Sequence, residues 1–372
     1  MRISPTGRFL DDFHALDADP AKRFAGSPPS KKLSMLLRPA FIAPPGKTLV
    51  WGDWSAIEAR VLPWLAASKG AEAVLDIFRE NDKDSDKPDI YILTAAQLLG
   101  RDPNELWAEF KAKDKTAKDA RQAYGKVPTL SLGFGGALGA LMAMATNYNV
   151  YLDTATATRV VEDWRAANQW ARDFWGQHGK RGSYGLWGAA NSAIEHPDTI
   201  YTAGRVAYVY DRTYMGGTLF CALPCGRLLT YPGVKWEWRE VEDKKTKQLV
   251  DRYQMTCIKA YARVPLWYGK LAENITQATA ASILRRTLKR LDPETKIGFD
   301  WLWSQGFDPR CKPPFPVVMH THDEVTGELD ESKAGAARLL LQKAMETNDA
   351  WDAGLPLKAE IGGGWYYSKA GD

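Results

Sequence analysis

Three short apolar segments that read as strands stand far apart in this chain: Thr48–Asp53 (TLVWGD), Pro316–Leu329 (PVVMHTHDEVTGEL) and Leu357–Ile361. Strands must pair to satisfy their backbone groups. A sheet gathered from segments near residues 50, 320 and 360 therefore implies one split α+β domain with another inserted into it. The intervening sequence is mostly helical in pattern. Ile57, Val61, Leu62 and Leu65 recur at helical steps directly after the first strand. The length of 372 residues allows two domains or one large one with insertions, and 45% apolar with 25% charged excludes a mostly disordered chain.

The rest of the chain divides by composition. Residues 1–35 are polar and broken by Pro5, Pro20, Pro28 and Pro29, an arm or linker. Residues 80–89 form a charged loop, and helices are expected over Ile90–Gly100 and Pro103–Lys113. Ala155–His178 reads as one helix with Trp164, Trp170 and Trp175 as a stripe. Strand-like alternation takes over at 217–261, helix returns at Leu271–Arg290, Pro316–Leu329 reads as a hairpin, and Ser332–Trp351 is amphipathic. Val127–Leu152 holds no charge and contains a G-x-x-x-G, but its prolines, glycines and asparagines suit a Gly-rich helix on a flat neighbour better than a membrane span. The start, MRISPTGRFLDDFH, lacks an apolar h-region, so no signal peptide is expected. The four cysteines contain no C-x-x-C, which fits reduced thiols in a cytoplasmic protein. Lysine plus arginine less aspartate plus glutamate, 49 − 45, is +4, which permits a nucleic-acid partner without requiring one.

Several residues stand where chemistry is possible. Asp53 ends an apolar strand directly before a helix; Ser55 with Glu58 three later also makes a capping box, S-x-x-E. Asp323 and Glu324 sit at the centre of a hairpin with apolar arms, where an ionised carboxylate needs a cation or a donor. His320 and His322 alternate on one strand face with Glu324 next on that face, and H-x-H plus a carboxylate could bind a transition metal. Lys126 opens the uncharged run with Arg121 five residues before it, and basic residues at a helix start can meet phosphates beside free N–H groups. Neither a Walker A loop nor a Rossmann fingerprint is present in its proper context.

Together these pieces resemble the family A DNA polymerases, the DNA polymerase I group, particularly phage versions. DWSAIEARVLPWLA (Asp53–Ala66) is similar to motif A. KVPTLSLGFG (Lys126–Gly135) is similar to motif B, with Lys126, Leu130, Phe134 and Gly135 at steps of four, four and one. HDE (His322–Glu324) is similar to motif C. RPAFIAP, DIYILTAAQLLG, ENITQATA and PLKAEIGGGW support the match, which covers roughly residues 36–366 in the family's order.

The resemblance implies a right-hand polymerase: an antiparallel palm sheet with helices, a large helical fingers insertion and little of the thumb. The palm would take 36–68 and 261–372, and the fingers 69–260, including the β-rich insertion. The activity implied is template-directed transfer of dNTPs onto a primer 3′-hydroxyl with two Mg²⁺ ions, Mn²⁺ being a substitute. Asp53 and Asp323 would bind metal with the Trp54 carbonyl, and Glu324 would be an accessory carboxylate. Glu58 would be the steric gate against ribose, and Lys126 would hold the triphosphate and protonate pyrophosphate. Leu130, Arg121 and Tyr91 would line the nucleotide site. Phe134, Gly135, His322, Gln277 and Arg60 would meet DNA, Arg60 serving palm structure as its other reading.

Three departures follow from that match. Gln122, not arginine, stands four before Lys126, and Arg121 stands five before; one residue turns an α-helix position by about 100°, so Arg121 reaches the phosphates only if the helix starts later or bulges. Tyr91 stands where relatives often carry histidine. Only about 35 residues precede RPAFIAP. A second polypeptide would then supply the thumb, with or without a 3′–5′ exonuclease, in a split enzyme that works on primer-template DNA in a host cytoplasm and not at a membrane. The other reading is a non-catalytic DNA-binding or scaffold subunit that keeps the fold; intact Asp53, Asp323 and Lys126 argue against it.

Overall fold

The computed structural model describes residues 38–176, 184–243, 248–310 and 313–368. The N-terminal arm expected over 1–35 lies outside them, as do Cys311 and His178. Contacts divide the chain into two units: Met1–Ser55, Ile283–Thr347 and Leu357–Asp372 form the first, and Ala56–Ser282 with Asn348–Pro356 the second.

The first unit is built on the sheet expected from the three distant segments. Its strands run Ala359–Gly364, Lys47–Trp54, Glu324–Asp330, Val317–Thr321 in spatial order, each antiparallel to its neighbour. The strand Lys47–Trp54 is buried along most of its length, as a strand covered on both faces must be. Val50 and the Trp54 indole face the helix Ala334–Glu346; Val50 is fully buried, and Trp54 Nε1 donates to the Met345 carbonyl at 3.2 Å. Leu49 and Trp51 point the other way into a small cluster with Ala43 and Tyr367, where Trp51 meets Tyr367 edge-on. Asp53 continues this second side beyond the cluster and is half-buried.

The second unit begins with helices. Ile57–Ala66 starts a residue or two after the strand ends. Its N-cap is Ala56, in left-handed backbone with no side-chain cap. The Ser55–Glu58 capping box therefore does not form, and the Glu58 carboxylate is used elsewhere. The charged stretch at 80–89 is partly helical, because Lys69–Lys83 runs into it. The tryptophan-striped segment is two helices, Thr154–Ala167 and Gln169–Trp175, broken at Asn168, whose side chain donates to the Trp164 carbonyl. The break lets Trp164 and Trp175 stack at 6.2 Å.

Strand structure starts earlier than the alternation predicts. Tyr201–Ala203 and Val206–Asp211 join Thr218–Ala222 and Leu228–Pro232 in a four-stranded meander, followed by a three-stranded sheet of Lys235–Glu242, Leu249–Lys259 and Ala262–Pro265. Tyr201–Ala203 is too short to show a period by itself, so only pairing reveals it. The uncharged run Val127–Leu152 is two short helices joined by a turn, and among the described residues no helix is long and apolar enough to cross a membrane.

Candidate active site

Antiparallel register places Asp53 and Glu324 side by side in the first unit. Asp53 pairs directly with Glu324 on one side and with Glu360 on the other. Residues directly opposite share a sheet face. The adjoining Trp54 amide donates to the Asp323 carbonyl at 3.3 Å, so the hairpin turn that carries Asp323 is tied to the strand end that carries Asp53. Glu324 is 5% exposed and Asp323 is half-buried. Glu360 was not singled out from sequence. It lies inside PLKAEIGGGW, and strand pairing alone reveals it as a neighbour of Asp53.

His320 is an exposed strand residue, but His322 turns the hairpin in left-handed backbone at φ 52°. The turn breaks the two-residue alternation on which a His-x-His-x-Glu metal face depends. Among the described residues no group of three or more His, Cys, Asp or Glu side chains is arranged as a metal cage. Mg²⁺ does not need one, because it takes one or two carboxylates and completes its shell with water and substrate phosphates. The all-oxygen donor set of Asp53, Asp323 and the Trp54 carbonyl fits that ion.

Arg121, Lys126, Leu130, Phe134 and Gly135 lie in the second unit, and the spacing of Arg121 from Lys126 has a structural answer. Arg121–Lys126 is one turn of π-helix, with the Val127 amide reaching back five residues to the Gln122 carbonyl. A π-turn holds one residue more than an α-turn. Residues five apart therefore stack there as residues four apart do on an α-helix, and the extra residue before Lys126 is absorbed by the bulge. Gly125 lets this turn pack closely on the helix Ile90–Leu99: a Cβ there would strike the Tyr91 carbonyl.

The side chains around this turn are mutually engaged. Arg121 donates from Nε and Nη2 to Asp89 Oδ2, at 2.9 and 2.6 Å. Its guanidinium also lies 4.9 Å from the Tyr91 ring and 5.0 Å from that of Phe110. Burial raises the Tyr91 phenol to about 12 against the pull of Arg121, so it is a neutral hydroxyl in any ordinary buffer. The Lys126 ammonium lies 5.2 Å from the Tyr148 ring centroid.

Glu58, Leu130 and Phe134 line one cleft of about 50 Å³ together with Thr94, Trp164 and Trp170. Gln277, exposed on the helix Tyr268–Leu291, donates its side-chain amide to Glu58 Oε1. Gly135 follows Phe134 in left-handed backbone at φ 72°, and a Cβ there would strike the Tyr268 ring. Tyr268 stacks on Trp175, whose indole donates to the Gly133 carbonyl at 2.9 Å. The end of the motif B helix is thus held by an aromatic column.

Arg60 is 2% exposed. Its guanidinium bonds Asp82 through both Nη atoms, at 2.5 and 2.8 Å, and lies over the Phe78 ring. A group so enclosed meets DNA only by breaking that pair, so its placement is structural.

The first unit is thus a split antiparallel sheet, interrupted in sequence by a second unit that opens with helices and carries the Lys126 segment. The chain is similar in fold to the POL domain of Pol1 from M. smegmatis, solved with DNA primer-template and dNTP. The TM-score is 0.52 at 15% identity, over 92% of this chain and 44% of that one. In sequence it is 31% identical over 337 residues to a DNA polymerase of Bacillus phage SP02, across 91% of this chain and 44% of that protein. The chain spans less than half the length of either. No family model matches it.

Proposed function

We propose that this chain is the palm-and-fingers segment of a family A DNA polymerase, extending a primer with dNTPs on a DNA template. The palm is 36–68 with 261–372 and the fingers 69–260, so the palm takes in the sheet of the first unit and also the stretches 56–68, 261–282 and 348–356 of the second. One observation carries the reading: the Asp53–Glu324 register and the Trp54–Asp323 hydrogen bond bring the carboxylates of two motifs 270 residues apart to one strand end.

In the reaction the primer 3′-hydroxyl loses its proton and attacks the α-phosphate in line, and pyrophosphate leaves. Mg²⁺, when bound, supplies Lewis-acid neutralisation of phosphate charge, and Mn²⁺ is the expected substitute. Asp53 and Asp323 would hold it through their carboxylates, with Trp54 lending a carbonyl, and Glu324 keeps that strand end acidic. Lys126 binds the triphosphate and donates a proton to the departing pyrophosphate. Arg121, re-phased by the π-turn, is the second phosphate cation, and Tyr91 supports it through its ring and offers a neutral hydroxyl. Glu58 crowds the sugar 2′-position, held there by Gln277, which also faces the minor groove. Leu130 and Phe134 form the apolar wall against the nascent base pair, with Gly135 as the turn behind it, and His322 approaches the primer end.

Primer extension by the purified full chain, with Mg²⁺, four dNTPs and an Asp53→Ala control, tests it. Extension that the control abolishes supports the polymerase; DNA binding with no extension, alone or with copurifying partners, favours the scaffold reading.

A further inference from the structure

Arg121 and Lys126 both rest on aromatic rings, and the ring under Lys126, Tyr148, has no part in the roles above. Tyr148 caps the helix Leu138–Asn147, and its amide donates to the Met144 and Ala145 carbonyls, both at 3.1 Å. The Val150 amide also closes on the Ala145 carbonyl at 2.8 Å. The backbone that carries the ring is therefore fixed. The ring is half-buried and takes the Lys126 ammonium at 5.2 Å from its centroid. Burial and the nearby Glu58 carboxylate both push its phenol above the ordinary value, so the ring stays neutral. The same carboxylate acts on Tyr91, which places Glu58, Tyr91 and Tyr148 within electrostatic range of one another.

A lysine ammonium is a compact charge on a flexible four-carbon stem. Without a seat it reaches a triphosphate from many rotamers, and each binding event must order it. A ring face attracts the cation on one side while leaving the outward N–H donors available to phosphate. We propose that Tyr148 is a positioning residue for nucleotide binding: its ring seats Lys126 in one orientation towards the incoming triphosphate. The proposal rests on the reading that Lys126 binds that triphosphate.

The test is equilibrium binding of dNTP to the full chain on a dideoxy-terminated primer-template, which needs no turnover. Tyr148→Phe keeps the ring and is expected to bind dNTP as the unaltered chain does. Tyr148→Leu removes the ring and is expected to weaken dNTP binding by about two- to fivefold, the worth of an exposed cation–π contact. DNA affinity is expected to stay unchanged in both. In a Lys126→Ala background, Tyr148→Leu is expected to have no further effect. Equal losses in Phe and Leu variants, or a Leu penalty that persists without Lys126, would overturn the positioning role. Lys126→Ala that binds dNTP normally would instead overturn the triphosphate role itself. Should Tyr148→Leu fail to fold, NMR of lysine-labelled chain decides. The Lys126 ε-methylene protons, assigned by their loss in Lys126→Ala, are expected upfield through the ring current. An unshifted signal would overturn the seat.

Discussion

Gln277 donates its side-chain amide to the carboxylate of Glu58, 219 positions earlier in the chain. A carboxylate fixed in this way is a better steric barrier than one free to swing aside. Glu58→Ala is expected to raise ribonucleotide incorporation by about tenfold or more, the size of losing one close packing and polar clash. Gln277→Ala is expected to raise it less, because the carboxylate remains but loses its anchor. Ratios of kcat/KM for dNTP and rNTP check both. Equal sugar discrimination in all three proteins would return Glu58 to a structural role.

The π-turn predicts tolerance of a deletion. Removing Ala123 shortens Arg121–Lys126 by one residue, lets the turn close as α-helix and keeps Arg121 in phase with Lys126. The dNTP KM is expected to stay within about threefold of the unaltered chain, whereas Arg121→Ala removes a charge-assisted contact and is expected to cost about tenfold. Steady-state kinetics on one primer-template compares them. A deletion as damaging as Arg121→Ala would show that the bulge does more than absorb a residue.

Arg60 tests structure against DNA contact. Its pair with Asp82 is buried on the arginine side, and removing one partner strands the other charge. Arg60→Ala is expected to destabilise the second unit by about 3–5 kcal/mol. A thermal melt should show the loss, with DNA affinity of the folded protein unchanged. Normal melting with weakened DNA binding would reverse the assignment.

Alkaline pH should act on buried acids. Burial raises Tyr91 from 10.0 to about 12 and Cys221 from 9.0 to about 12. The folded chain holds both protons more tightly than the unfolded chain does. Their contribution to stability is therefore full below pH 9 and is lost as the pH rises from 9 towards 12. Denaturant unfolding is expected to give a flat stability from pH 7 to 9 and a decline above it. A decline beginning well below pH 9 would contradict the burial of these groups.

The parts of the fold legible in the sequence are those with strong local patterns. Thr48–Asp53 has an apolar centre of Leu49, Val50 and Trp51, and Pro316–Leu329 has apolar arms about a polar centre; both stand as strands. Tyr201–Ala203 was not legible, because three residues carry no period and the strand exists through its pairing with Val206–Asp211. The tryptophan stripe hid the break at Asn168, since stacking across two helices and packing along one place rings at similar intervals. At the site, resemblance supplied the roles of Asp53 and Asp323, whereas Glu360 and Tyr148 needed the structure: one is a register neighbour and the other a ring contact, and neither leaves a mark at fixed sequence spacing. The Arg121 offset was visible, but only backbone hydrogen bonding shows that a π-turn absorbs it.

The most direct test of the central claim is single-turnover incorporation of one dNTP by the full chain in Mg²⁺, with Asp53→Ala and Asp323→Ala measured alongside. Incorporation by the unaltered chain, reduced by about a thousandfold or more in each variant with DNA affinity retained, is the predicted result for loss of a metal ligand. Incorporation by either variant at close to the unaltered rate would contradict the assignment of that strand end as the catalytic centre.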